Sequence, residues 1–365
     1  MSRFGKREFI LDLPDPEDKK HMQITNYGRL KYLFFTMMVV ALILSVIGMR
    51  DISLTPYSGY QVSADYKVVR IAPNSPAALA GMKAGDSIVE IGGIPTERLY
   101  QLSRLARPKI GEHQRIAVLR DLNWHEFVVT MSPLATKDLF LAWAGNFMAL
   151  VMLILGFAVQ WRRPNKATTL FFLSNFCLAL AFMTPPYFET LILRKIVALN
   201  FLLFLTLGLA FFLHLTVLFP KPKPAVVETP VEFLIYLPVP LMGIFYLSLR
   251  LFQPWADLTL NHFLHYAFGL SVLYCLALAL AAVIHSHWTA TPSERSHGLN
   301  LLMLGLLVGI LPPASKVLGD TFLPQVGLPG RDYYQLLVIL VTLTFGWALW
   351  KASPEEELGG LKHAA

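Results

Sequence analysis

The sequence predicts an α-helical polytopic membrane protein of about eight transmembrane helices. One small α/β domain, mostly β and extracytoplasmic, is expected between helices 1 and 2. Three observations predict this class. The chain of 365 residues is 55% hydrophobic and only 15% charged, where a soluble chain carries about a quarter charged residues. Its apolar residues fall in long runs of bilayer-spanning length rather than in amphipathic stripes. A single stretch, Asp51–Lys137, has ordinary soluble composition and the size of one small domain.

Taken in order, residues 1–29 are polar and mixed in charge, with Pro14 and Pro16 in an acidic patch, and read as a flexible cytoplasmic tail. Residues 30–49 form an unbroken apolar run. It starts too far from the N-terminus for a secretory signal and shows no small-residue cleavage site, so it reads as a retained anchor, transmembrane helix 1. Tyr66–Ile71 then reads as a strand. Ser75 is a good N-cap with Pro76 at the first helical position, and Ala77–Ala80 make one helical turn ended by Gly81. Gly85-Asp86 turns the chain into the strand Ser87–Ile91, and Gly92-Gly93 permits a tight hairpin. Thr96 is placed to cap a second helix, Thr96–Leu105, with Leu99, Leu102 and Leu105 on its inward face and Pro108 beyond its end. Arg115–Leu119 and Phe127–Met131 read as closing strands joined across Arg120-Asp121-Leu122-Asn123.

The run Ser75-Pro76-Ala77-Ala78 … Gly81-Met82-Lys83-Ala84-Gly85-Asp86, followed by a strand and Gly-Gly, resembles the core of a PDZ domain of the bacterial, periplasmic stress-protease type. The resemblance covers residues 59–133. It implies a domain that takes an extended peptide as an added strand, with a terminal carboxylate held by backbone amides of the loop before that strand. By that analogy the groove lies between Tyr66–Ile71 and the helix Thr96–Leu105, and is lined by Tyr66, Val68, Val69, Ile71, Leu99 and Leu102. The loop position falls on Ser63-Ala64-Asp65-Tyr66, which has no glycine, and Asp65 would repel a carboxylate. An internal segment or a membrane-protein loop is then as good a ligand as a free C-terminus.

Residues 139–350 read as a seven-helix transmembrane bundle, with spans Leu139–Gln160, Ala167–Thr184, Ile196–Phe219, Val231–Phe252, His262–Ile284, Leu299–Lys316 and Tyr333–Trp350. Residues 351–365 form a second cytoplasmic tail. With the N-terminus inside, the segments assigned to the cytoplasm hold fifteen Lys and Arg and the short outer segments six. That asymmetry predicts both termini in the cytoplasm and the PDZ-like domain outside, and the resemblance to bacterial PDZ domains implies a bacterial inner membrane. Trp161, Trp288 and Trp350 fall at the inner boundaries. The net charge of +7 is thereby accounted for by topology, and no nucleic-acid partner is expected.

The chemistry of an intramembrane protease is not intact. His125-Glu126-Phe127-Val128-Val129 lacks the second histidine of His-Glu-x-x-His, and Gly269-Leu270-Ser271-Val272 lacks the final glycine of Gly-x-Ser-Gly. Asp and Glu are absent from the interiors of the predicted spans. His285-x-His287 with His297 has no thiolate or acidic partner at useful spacing beyond Glu294, so no metal and no cofactor are expected. Cys177 and Cys275 both lie in apolar runs and give no disulfide framework. Asn146, Asn175, Asn200 and Asn300 are polar by position within apolar sequence. Helix glue is one reading; the other is a polar bundle site built from Asn146, Asn200, His214 and Asn300.

The order of anchor, outward PDZ-like domain and helical bundle resembles the sensor half of competence-type quorum-sensing histidine kinases. Local marks are Arg162-Arg163-Pro164 and Phe212-Leu213-His214-Leu215-Thr216-Val217-Leu218-Phe219-Pro220. After Trp350 no kinase follows in this sequence, so the resemblance implies output through a separate kinase, protease or other protein. The expected function is a non-catalytic sensor or adaptor acting in signal transduction from the bilayer. Its PDZ domain would bind an extracytoplasmic peptide or membrane-protein segment. A small-solute transporter or ligand-binding bundle is the alternative.

Overall fold

The computed structural model describes residues 16–63, 65–98, 108–188, 190–220, 223, 230–242, 258–291, 298–323 and 330–351. The first helix, α1 (Pro16–Asp51), starts well before the anchor. Residues 16–29, read from sequence as tail, continue it as helix, because Pro16 is tolerated in a first turn and only Gly28 opposes helix before Leu30.

A β domain follows, with β1 (Tyr60–Val62), β2 (Val68–Ile71), α2 (Pro76–Leu79), β3 (Ser87–Ile91), β4 (Ile94–Pro95), β5 (His113–Arg120) and β6 (Asn123–Thr130). β1 and β2 form a two-stranded antiparallel ribbon, and the other four strands form a sheet of order β4-β3-β5-β6. The local expectations hold here. Ser75 accepts a hydrogen bond from the Ala78 amide at 3.3 Å, and Gly81 leaves the helical turn at φ 91°. Gly92 and Gly93, at φ 58° and 82°, turn β3 into β4. The β5–β6 turn places both Asp121 and Leu122 in the left-handed region, the geometry of a two-residue hairpin, and leaves Leu122 91% exposed. Val68, Ala77, Met82, Ile88, Ile116, Val118, Val129 and Met131 close the core of the domain. The helix predicted from Thr96 lies, beyond Arg98, outside the described residues. The Thr96 hydroxyl itself donates back to the Ile88 carbonyl at 3.1 Å.

The bundle comprises α1, α3 (Thr136–Arg162), α4 (Lys166–Phe182), α5 (Leu191–Leu218), α6 (Leu258–Thr289), α7 (Asn300–Phe322) and α8 (Val338–Lys351), with a 3₁₀ turn at Arg331–Leu337 leading into α8. Among the described residues, six helices are long and apolar enough to cross a membrane. The expected third span forms α4, an apolar helix of 17 residues. The expected fifth begins with 3₁₀ helix Pro230–Ile235 and the short apolar helix Phe233–Met242, and its remainder lies outside the described residues. Asn165 and Thr168 form a capping box that starts α4 directly after Arg163-Pro164.

Lipid tails compete with apolar side chains, so the helices hold together through close approach and polar contacts. A Cβ on Gly305 would meet the Thr344 methyl at 2.4 Å, and one on Gly208 would meet Leu178 at 2.9 Å. At the end opposite the β domain, cations sit over tryptophan rings. Arg162 is 4.1 Å from the Trp350 centroid and Lys31 is 5.2 Å from that of Trp161.

Candidate functional site

The β2 backbone is paired along one edge and bonded at Val68 on the other. Along one it pairs with β1, Gln61 opposite Arg70 and Tyr60 opposite Ile71. Along the other, the Val68 amide donates to the Asp86 carbonyl at 2.7 Å and the Val68 carbonyl accepts from the Gly85 amide at 2.8 Å. The groove expected on β2 is therefore narrowed: the Val68 amide and carbonyl and the Tyr66 carbonyl are already taken, while Val69 and Ile71 lie on the strand that pairs with β1. Val68 lies in the core, and Tyr66 and Ile71 pack on it. Leu99 and Leu102 lie outside the described residues.

In the two-stranded ribbon the outer edge belongs to β1. Gly59 and Ser63 bond to Ala72 and Lys67, which turns Gln61 toward β2 and the amides and carbonyls of Tyr60 and Val62 away from it. Among the described residues nothing pairs with those outward groups. The loop that feeds β1 is Tyr57-Ser58-Gly59-Tyr60, in place of the expected Ser63–Tyr66. The Tyr57 amide bonds to Ser132 at 2.8 Å, while the Ser58 and Gly59 carbonyls are taken by Ala77 and Ala72. The amides of Ser58, Gly59 and Tyr60 have no acceptor among the described residues. Successive amides around a glycine at φ 85° make a concavity suited to an anion. Asp65, expected to repel a carboxylate, instead accepts from Ser63 at the far end of β1.

The loop is anchored to the bundle. Burial, and then the neighbouring Asp138 charge and hydrogen bond, raise the Tyr57 hydroxyl above its ordinary range. Asp138 stands in the first turn of α3. A second link runs through β2. Arg70 Nη1 lies 3.3 Å from Asp332 Oδ2, and Lys137 pairs with the same carboxylate. Asp332 belongs to the 3₁₀ turn before α8, so one acidic residue joins the β domain, α3 and the last helix. Each pair is partly exposed and contributes at most about 1 kcal/mol to stability.

The four polar bundle residues do not converge. Asn146, on α3 toward the β domain, accepts from Ser45 Oγ at 3.3 Å and donates to Thr184 Oγ1 at 2.8 Å, so it ties α1 to the chain after α4. Asn200 is exposed on α5. His214 lies fourteen residues further along that helix, about 21 Å away at 1.5 Å per residue, with Nδ1 2.6 Å from the Tyr236 hydroxyl. Asn300 is at the opposite end from the β domain, 3.0 Å from His287 Nε2. The polar bundle site is thus corrected: Asn146, His214 and Asn300 bond to separate partners at different depths, since a buried polar group in an apolar interior takes the nearest partner. Asn175 behaves in the same way: its Oδ1 accepts from Thr342 Oγ1 on α8 at 2.7 Å.

Two charges differ from the sequence reading. Asp320 falls inside α7, four residues from Lys316, with which it pairs. That spacing is visible in sequence, and it lets the helix run past Lys316 to Phe322. Lys223, one of the fifteen cations assigned to cytoplasmic segments, folds back to donate to Thr216 O at 3.0 Å and Ser286 Oγ at 2.8 Å, and burial pushes its amine down to about 8. Among the described residues no three His, Cys, Asp or Glu side chains are grouped to hold a metal; His297 lies outside them.

Compared with known proteins, residues 67–120 match a family model described as PDZ domain. No curated protein matches the chain. The chain thus carries a PDZ domain, of a class that generally binds peptide or protein segments, together with several apolar helices suited to a multi-pass membrane protein.

Proposed function

We propose that the chain is a non-catalytic bacterial inner-membrane sensor or adaptor whose PDZ domain faces away from the cytoplasm. It receives an extended peptide or a segment of a membrane protein along the outer edge of β1. The bundle passes that event to a separate output protein, a kinase, a protease or another partner. The observation that carries this reading is the β1 edge, unpaired among the described residues and fed by the Ser58–Tyr60 amides, on a domain joined to the bundle through Asp332. Strand addition supplies main-chain hydrogen bonds, and the loop amides donate to either a terminal carboxylate or an internal acidic side chain.

The binding test uses the full chain in lipid nanodiscs against an array of synthetic peptides. Val62→Pro removes one outward amide and leaves the β1–β2 bonds, which use Gly59, Gln61 and Ser63, in place. Capture is expected to fall about tenfold or more, the value of a lost hydrogen bond and a clash together. Trp124→Ala, on exposed β6, should leave capture unaltered. Equal capture by V62P and the parent chain would remove β1 from the account. In the same assay Asp332→Asn should retain capture while abolishing the peptide-induced change in hydrogen exchange along α8; an unchanged response rejects the relay.

Orientation has its own measurement. Cys177 and Cys275 are buried at 3% and 2% exposure, so a cysteine at the exposed hairpin turn, Leu122→Cys, reports with low background. Intact spheroplasts should label with an impermeant thiol reagent. Labelling only after lysis would put the domain in the cytoplasm and end the proposed topology.

A further inference from the structure

A second site lies within the bundle, independent of the peptide edge. Its origin is in the α7 sequence. Pro312 and Pro313 have no amide hydrogen, so the carbonyls of Val308 and Gly309 lose their helical partners. Small residues bring neighbouring helices close around this break. A Cβ on Gly309 would meet Val341 at 2.6 Å, and one on Gly269 would meet Thr321 at 2.5 Å. Between these close approaches α4, α5, α6, α7 and the start of α8 enclose a partly open cavity of about 380 Å³. That is at the lower end of the roughly 300–1,000 Å³ of ligand sites, with room for one chain rather than a two-chain lipid.

The cavity has two chemically different ends. Its wall is predominantly apolar, with Leu178, Leu209, Phe268, Val272 and Val317 among the lining residues. The polar groups of its deep part are already matched: Thr342 donates to Asn175, Asn175 to Phe171 O, and Ser174 to Gly208 O. A ligand there meets no polar demand. At the end toward the β domain stand His265, Lys316, Asp320 and Gln335. An ammonium has three donors, and the Lys316 charge is balanced by Asp320. This end therefore offers donors and acceptors to a head group with no net charge to recruit an ion.

We propose that this cavity binds a single-chain amphiphile with an uncharged, hydroxylated head, of the monoacylglycerol type. Its chain lies among α4, α5, α6 and α7, and its head rests at Lys316, Asp320, Gln335 and His265. Gln335 is one 3₁₀ turn from Asp332, so the same short segment forms a lip of the cavity and the link to the PDZ domain.

The test uses the full chain in phosphatidylcholine nanodiscs and a monoacylglycerol carrying a photoactivatable group in its chain. Cross-links are expected on cavity residues such as Leu178, Phe268 and Val317, and excess unlabelled monoacylglycerol should remove them. Val272→Trp fills the cavity from α6 and should weaken labelling about tenfold. Val317→Trp does so from α7, so a folding failure in one variant leaves the other decisive. Labelling confined to outward-facing residues such as Phe140 and Leu343, or unaltered in both tryptophan variants, would overturn the proposal. So would stronger labelling by a fatty-acid anion of equal chain length, since the head site would then select charge.

Discussion

Replacing Arg120 by alanine is expected to unfold the β domain while leaving the helices inserted. Arg120 grips Asp86 with both ends of its fork, Nε to Oδ1 at 2.7 Å and Nη2 to Oδ2 at 2.8 Å, and also donates to the Gly81 carbonyl at 3.0 Å. Asp86 is 1% exposed and takes a further bond from the Lys83 amide. Removing the cation strands a carboxylate in the interior, at a cost of about 3–5 kcal/mol. Marginal domains have little more than this in total. Hydrogen-exchange protection of the Ile88, Ile116 and Val118 amides in the full chain should drop roughly a hundred- to several-thousand-fold. Unaltered protection would mean that the pair is ornamental.

The same pair sets a pH dependence with a definite sign. Burial by itself raises the Asp86 carboxyl, but the Arg120 bond, the Lys83 amide and the Arg120 charge outweigh it and hold it below its ordinary value. A depressed carboxyl contributes stability that is complete above the unfolded pKa, near 3.9. That contribution is lost as pH falls through the lower, folded value. Protection in the parent chain should therefore be level from neutrality to about pH 5 and decline below about pH 4. In Arg120→Ala burial is left dominant, and acid should partly restore the domain. A decline of equal slope in both proteins would remove Asp86 as the acid-sensitive group.

The second large effect is expected at Gly59. Its φ of 85° disfavours any residue with a Cβ, and that atom would lie 2.0 Å from Ser75 Cβ. Gly59→Ala combines left-handed strain with overpacking, together roughly 2–5 kcal/mol. Because Ser75 caps α2, the displacement should also cost the capped turn. Protease cleavage between β1 and α2 should rise strongly, and peptide capture should vanish. A variant that resists cleavage as the parent does would show that the loop can move away from Ser75.

How much of this was legible in sequence varies by element. The capped turn Ser75–Gly81, the strand Ser87–Ile91, the Gly92-Gly93 hairpin and six of the spans were readable because each depends on neighbours a few residues apart. The outer edge at β1 was not. The motif pointed to the stretch just before Ser75, and β2 is indeed there, but a strand's free edge depends on what pairs with it. β1 is only three residues long, and its one signal was Gly59 followed by alternating Tyr60, Gln61 and Val62. The polar bundle residues were correctly seen as needing partners, but which helix supplied each partner was not visible.

Local chemistry by itself determined that the chain carries a PDZ domain and several apolar helices suited to a multi-pass membrane protein, since hydropathy, caps and turns are satisfied over a few residues. Tertiary structure decided the rest: which strand offers an edge, that Arg120 neutralises Asp86, that Asp332 joins the domain to the bundle, and that α4 to α8 leave a cavity. Those depend on groups brought together from 34 residues apart for Arg120 and Asp86 to 262 apart for Arg70 and Asp332. Charge and shape complementarity over such separations arises from packing, and no local pattern encodes it.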